Sequence, residues 1–292
     1  MVGRWLSLCF ALLLPATALA VTQAAPPELL PEIIVEAPGE MEIAAFVGQA
    51  LPDTRERQLA RWHRPLCVAY RGFSKQQEQL FHHHVQAVAA LVEMPATPGD
   101  CRPNVVVLLT DQPDRLVDLM LERQERLFRP TPIAEVRKAL DQDRAVRMWH
   151  VTLLNGKDGN TPDALDMAGP LSNASSIRAA PGSLSRLGKQ TRIDLFRTMI
   201  VIDANALRGL PLSAVADHVG MRVMGAFAAD AATPLPSILG LFQSGQKGPL
   251  ALTDWDKSLL RGLYQAPVDT HMNRQRRMIA RRLVETATTG EP

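Results

Sequence analysis

The chain has 292 residues, 46% of them hydrophobic, with 32 Lys+Arg against 30 Asp+Glu and a formal net charge of +2. So even a balance argues against a general nucleic-acid binder, which needs a basic field to collect phosphates. The length suits one domain of ordinary size, or a large one carrying a long loop.

Residues 1–20 read as a Sec-type signal peptide. Arg4 supplies the basic start, 5–14 the apolar run, and Ala18-Leu19-Ala20 the small-residue cleavage signal. The run is too short for a membrane span, and no later one is long enough. Cys9 lacks the small residue before it that a lipoprotein signal uses, so no lipid anchor is expected. Cleavage near Ala20 gives a mature chain starting near Val21, periplasmic or secreted. It loses one Arg and no acid, which leaves the charge balance near neutral. Cys67 and Cys101 remain, and in an oxidising compartment such a pair reads first as a disulfide. A nucleophilic Cys would need a positioned base, which the sequence does not show.

Residues 21–60 form a Pro-rich leader with Pro26, Pro27, Pro31 and Pro38, a possible short strand at 32–36, and a short helix over 53–62. The single folded domain is expected over 61–290. Residues 65–72 (PLCVAYRG) read as a buried strand. Ser74 is the N-cap of a helix with Phe81, Val85, Val88 and Val92 at helical spacing. Residues 104–110 (NVVVLLT) are a second apolar strand, so the two strands and the helix predict a right-handed βαβ unit with parallel strands. Parallel pairing brings Cys67 and Cys101 close, which supports the disulfide from geometry. Asp111 or Asp114 caps the next helix, which runs to about Phe128 with Leu116, Leu119, Met120 and Leu127 inward. A short helix follows over 133–140. Residues 145–154 form a strand, and Asn155-Gly156 starts a turn. The stretch 155–192 is a long Gly/Ser/Asn/Pro-rich loop, a lid or a disordered segment, with Asn173-Ala174-Ser175 a sequon by pattern only. Residues 196–203 form a strand antiparallel to 145–154. A central helix spans 211–227 with Leu212, Val215, Val219, Val223 and Phe227 on its apolar face. Short helix 237–242 follows. Thr253 with Asp256 starts a helix over 254–264 in capping-box fashion. The last helix, about 272–285, carries Arg274, Arg276, Arg277, Arg281 and Arg282 opposite Met278, Ile279, Leu283 and Val284.

Few residues carry chemistry. His82-His83-His84 cannot converge on one ion, because successive helical residues point about 100° apart; a solvated helix face is expected. No H-E-x-x-H, G-x-S-x-G, Walker A or G-x-G-x-x-G occurs. Asp203 ends an apolar strand, a common place for a catalytic carboxylate, with a turn role as the plainer reading. Trp149 and His150, with Arg222 on the central helix, are candidates to line a binding groove. The terminal Arg helix can meet anionic lipid or simply dock on the domain.

The segments Trp62 to Cys67 (WHRPLC), Cys101 to Asn104 (CRPN), Val201-Ile202-Asp203, Ala216 to Met221 (ADHVGM), Pro236 to Leu239 (PSIL) and Leu252 to Asp256 (LTDWD) together resemble a family of exported proteins of alphaproteobacterial type with a zincin-like plan. The resemblance covers roughly 60–265 and implies a fold, with no activity to carry over. A zincin helix needs two imidazoles one turn apart for zinc and a carboxylate to activate water. Here Asp217-His218-Val219-Gly220-Met221 stands at that place, with Phe227 where some zincins place a third His. The metal motif is thus degenerate, and no metal or cofactor is implied.

The expectation is an α+β fold of zincin-like type: a small mixed sheet, made of a βαβ unit plus antiparallel strands, followed by a mostly helical C-terminal half. The expected function is non-catalytic binding of an envelope protein or peptide in a groove beside the Trp149 strand and the 211–227 helix. The alternatives are a metal-dependent hydrolase using Asp217, His218 and His150 or Asp203, and an anionic-surface binder using the Arg helix.

Overall fold

Four apolar segments pair into one mixed sheet. In the computed structural model they are β1 (Val68–Arg71), β2 (Val105–Thr110), β3 (Val146–Gly156) and β4 (Thr191–Asp203), in the order β1-β2-β4-β3. The model describes residues 38–51, 58–129, 131–140, 144–157, 191–228, 233–243 and 248–289. The signal segment, the 32–36 strand, the sequon and most of the 155–192 loop lie outside the described residues. β1 and β2 run parallel, as do β2 and β4, whereas β3 runs antiparallel to β4. The chain is therefore α+β, with seven α-helices among the described residues: α1 (Glu40–Ala50), α2 (Lys75–Ala90), α3 (Pro113–Arg123), α4 (Ile133–Leu140), α5 (Leu212–Val223), α6 (Asp254–Gln265) and α7 (Met272–Thr289). Among the described residues, no helix is long and apolar enough to cross a membrane.

Strand periodicity builds three layers. Successive side chains of a strand point to opposite faces. On β2, Val105 and Val107 enter one core while Val106 and Leu108 enter a second; on β4, Ile200 and Ile202 separate from Met199 and Val201 in the same way. The larger core holds α2 and α5, with α1, α6 and α7 beyond them. The smaller holds α3 and α4. The predicted parallel β1-α2-β2 unit is present, and Cys67 and Cys101 are bonded with Cα atoms 5.9 Å apart. Ser74 caps α2 in a full capping box with Gln77. Gly72 closes β1 at φ +82°, where a Cβ would meet Leu109 O at 2.0 Å, so only glycine fits.

Several boundaries differ from the sequence reading. Asn155-Gly156 is strand, not turn, because β3 and β4 remain paired down to Gly156 and Thr191. Neither Asp111 nor Asp114 caps α3. Gln112 is the N-cap without a side-chain bond and Pro113 follows it; Pro has no N–H and tolerates a helix start. Asp114 instead pairs with the buried Arg147 at 2.6 Å. α3 ends at Arg123, with a separate 3-10 turn at Glu125–Leu127. The 237–242 helix is one 3-10 turn, Ile238–Gly240. α5 stops at Val223 rather than Phe227, since Gly225 bridges to Arg61. Gln58 to Trp62 is not helical. The stretch read as a leader contains α1, whose Ile43, Phe46, Val47 and Ala50 are buried in the larger core.

The disulfide closes a loop of sequence separation 34. Cys101→Ser should therefore lose about 3–4 kcal/mol of unfolding free energy in the chain-entropy account. Urea melts of oxidised wild type and variant check this; coincident midpoints would mean the βαβ unit does not depend on the bond.

Candidate functional site

Helix α5 is buried on almost every side. Ala214, Val215, Ala216, Val219, Met221 and Val223 are core residues. His218 is fully buried; its Nδ1 donates to Ile238 O at 2.8 Å and its ring meets Phe242 edge-on at 5.0 Å. Burial, with the positive field of Arg222, pushes its pKa down to about 3. Asp217 sits at the margin of the core, where its Oδ1 meets His84 Nδ1 at 2.6 Å and its Oδ2 accepts from Leu252 N at 3.3 Å. It ties α2 and the segment before α6 to α5. Asp217, His218 and Met221 thus face three different environments. Among the described residues, no group of three His, Cys, Asp or Glu is placed to hold a metal ion.

The other sequence candidates are dispersed. Asp203 accepts from Asn205 N at 2.8 Å, closing its own turn. Trp149 packs in the smaller core with α3 and α4. His150 points to the opposite face, bonds Thr198 Oγ1 at 2.8 Å across the strand pair, and has its pKa lowered by burial and Arg222 to about 3. Arg222 is buried and donates to Val146 O at 3.3 Å. Trp149 and α5 therefore lie on opposite faces of the sheet. The reason is the strand period: neighbours along β3 cannot share a face.

The Arg helix docks on the core. Met272, Ile279 and Leu283 of α7 are buried, Arg276 donates to Leu51 O, and Arg282 bonds Gln265. Its apolar side is occupied, so a membrane would meet only exposed guanidinium groups. A second polar knot, not singled out from sequence, surrounds Asp194. It meets His63 Nδ1 at 2.8 Å, Arg192 Nε at 2.9 Å and Asn155 Nδ2 at 2.7 Å. Burial pushes this carboxyl up, but the bonds from His63, Asn155 and Arg192 outweigh it and hold its pKa below the usual range. His63 Nε2 faces Arg61 Nε at 3.4 Å, so both ring nitrogens are engaged and the cluster is a structural tie.

A concave surface lies between β1 and α2. It has a volume of about 670 Å³ and is lined by Val68 and Tyr70 of β1 and by Lys75, Glu78, His82 and His83 among the residues of α2. β1 and β3 are the two edge strands of the sheet. Cys67 O accepts from Val105 N at 3.1 Å. Bonding residues alternate along a strand, so the peptide groups of Leu66, Val68 and Tyr70 turn outward. Thr97 Oγ1 already covers Leu66 O at 2.5 Å, and Arg71 Nη1 covers Tyr70 O at 2.8 Å. Among the described residues, the outward N–H and C=O of Val68 and the N–H of Tyr70 have no strand partner. The groove's sequence signal was the alternation Val68-Ala69-Tyr70 followed by a helix with Glu78 and His82 one turn apart, but nothing in it says that β1 is an edge.

Compared with protein-family models, with characterised proteins and with solved structures, the chain matches none.

The two low-pKa imidazoles make stability pH-dependent. Each folded pKa lies below the unfolded value, so the unfolded chain binds more protons between about pH 6.5 and about pH 3. Their stabilising contribution is complete above the unfolded pKa and is lost as pH falls through that window. His218→Asn keeps a donor for Ile238 O without the titration. The slope of unfolding free energy against pH should then fall by about one proton, or about 1.4 kcal/mol per pH unit, near pH 4–5. An unchanged slope would show that His218 is not buried neutral.

Proposed function

We propose that this chain is an exported, non-catalytic binding protein of zincin-like plan that holds an extended peptide segment of an envelope partner along the open edge of β1. One observation carries the reading: among the described residues β1 has no strand paired on its outer side, and a groove of about 670 Å³ walled by α2 stands beside it. Strand addition draws affinity from main-chain bonds and selectivity from alternate side-chain pockets. Three outward peptide groups are free, and at about 1 kcal/mol net each they support weak, reversible binding. The signal-like leader and the disulfide support export. The resemblance and the order of elements support the zincin-like plan. A non-catalytic role is supported by the divergence of Asp217, His218 and Met221, since zinc hydrolysis needs ligands that converge.

Fluorescence polarisation with short labelled peptides of alternating Val and Thr tests the reading. Val68→Pro removes an outward N–H without touching the β1–β2 ladder, and should weaken binding about fivefold, the loss of one main-chain bond, while thermal stability stays near wild type. Ala69→Pro removes an inward donor and should lower the melting temperature. Wild-type affinity in Val68→Pro, or no binding by the wild-type protein, would discard the reading.

A further inference from the structure

We infer that the cleft between α6 and α7 binds a single phosphate group, free or at the end of a larger molecule, through Arg261 and Arg282. The cleft shares no residue with the β1–α2 groove.

Two helix faces build the cleft. Ser258, Arg261, Gly262 and Gln265 stand at i, i+3, i+4 and i+7 on α6, and Arg282 and Thr286 meet them from α7. A Cβ on Gly262 would lie 3.0 Å from Ile279, so the two helices approach closely at the floor. The volume is about 120 Å³, well under the roughly 300–1,000 Å³ of pockets that enclose a drug-sized molecule. The cleft therefore takes one compact group. Ser258 and Arg261 are half-buried, and Gln265 and Arg282 are exposed, so the donors are open to a ligand.

Charge decides the class of ligand. No Asp or Glu lines the cleft. Asp254, seven residues before Arg261 and so on the same side of α6, is already bonded to Lys257 Nζ at 2.8 Å. Among the described residues, Arg261 makes no hydrogen bond and no ion pair. Arg282 gives one N–H to Gln265 Oε1 on the facing helix, which holds its guanidinium over the cleft and leaves the rest of its five donors. The Thr286 hydroxyl spends its proton on Arg282 O at 2.9 Å, whereas the Ser258 hydroxyl adds a donor from the α6 wall. Two guanidinium forks on opposite walls suit a tetrahedral dianion, whose oxygens accept from several directions at once. A flat carboxylate with one charge would meet one fork and leave the other uncompensated. Arg274, Arg277 and Arg281, exposed on α7, draw anions toward the site.

The test titrates the mature full-length protein calorimetrically with inorganic phosphate and glycerol 3-phosphate, and floats it with phosphatidylcholine vesicles carrying phosphatidic acid. Phosphate binding should weaken about tenfold or more in Arg261→Gln, the loss of one charge-assisted pairing. The melting temperature should stay near wild type, because that guanidinium has no internal partner to lose. Arg282→Lys keeps the charge without the fork and should weaken binding as well. Arg277→Gln removes the same charge outside the cleft and should change binding by less than about twofold. Binding to the vesicles alone, lost in Arg261→Gln and Arg282→Lys, would support the site with a lipid headgroup as the source. Equal losses in Arg261→Gln and Arg277→Gln would overturn it in favour of the diffuse field of α7. Wild-type affinity in Arg261→Gln, acetate bound as tightly as phosphate, or no binding in either arm would overturn it too.

Discussion

The fold depends on how the segment Gln58 to Cys67 satisfies the ends of two helices. The last carbonyls of an α-helix have no partner within it and must find one elsewhere. Trp62 Nε1 donates to Val223 O, the end of α5, at 2.7 Å. The Tyr264 hydroxyl donates to Met224 O at 2.9 Å and accepts from Trp62 N at 3.3 Å. Arg61 Nη1 serves Leu263 O and Ala266 O at the end of α6, at 2.5 and 2.8 Å, where a cation also suits the helix dipole. Arg61 O accepts from Leu195 N at 2.9 Å, and Leu59 N donates to Gln275 of α7 at 2.9 Å. One extended strap thus joins β4 to three helices, and the fully buried indole of Trp62 sits at its centre.

The strap and the sheet together set what α5 can do. A helix enclosed by β-strands, α2 and the 233–243 segment has its side chains spent on packing. Gly220 is where α2 comes closest: a Cβ there would lie 2.8 Å from Val88. The segment above α5 is pinned by Asp256, fully buried, which accepts from Ser237 Oγ at 2.5 Å, from Ile238 N at 2.9 Å and from Thr253 at 2.9 Å. Ile238 O in turn takes the proton of His218. The Nδ1 of His218 is thereby committed to holding a loop over α5, while its Nε2 stays buried without a partner. An imidazole with a pKa near 3, sealed from water, is a poor acid or base at neutral pH.

The outer side of β1 is guarded for a related reason. An exposed edge invites pairing with other chains, and proteins limit it by shortness and by side chains laid over it. β1 is four residues long, and Thr97 and Arg71 cover its outward carbonyls at either end. The gap between them, beside Tyr70 and Glu78, is too short for indiscriminate aggregation and long enough for a few directed bonds.

Much of this was legible from residues. Short-range signals did well because their physics is local: Ser74-x-x-Gln77 and Thr253-x-x-Asp256 each close a capping box, and the runs 65–72 and 104–110 are too apolar to be anything but buried strands. The Cys67–Cys101 bond followed from pairing those strands. Local signals failed where a distant partner decided the outcome. Asp114 left its capping role for Arg147, Asn155-Gly156 stayed in register with β4, and α1 emerged from a proline-rich stretch because α7 buries its apolar side. The sequence alone determined the α+β class and the parallel unit, since these need only spacing and residue type. Which strands are the edges, which face Trp149 takes, and that Arg261 and Arg282 line one cleft were decided by tertiary structure, because each depends on what a residue far along the chain places opposite it.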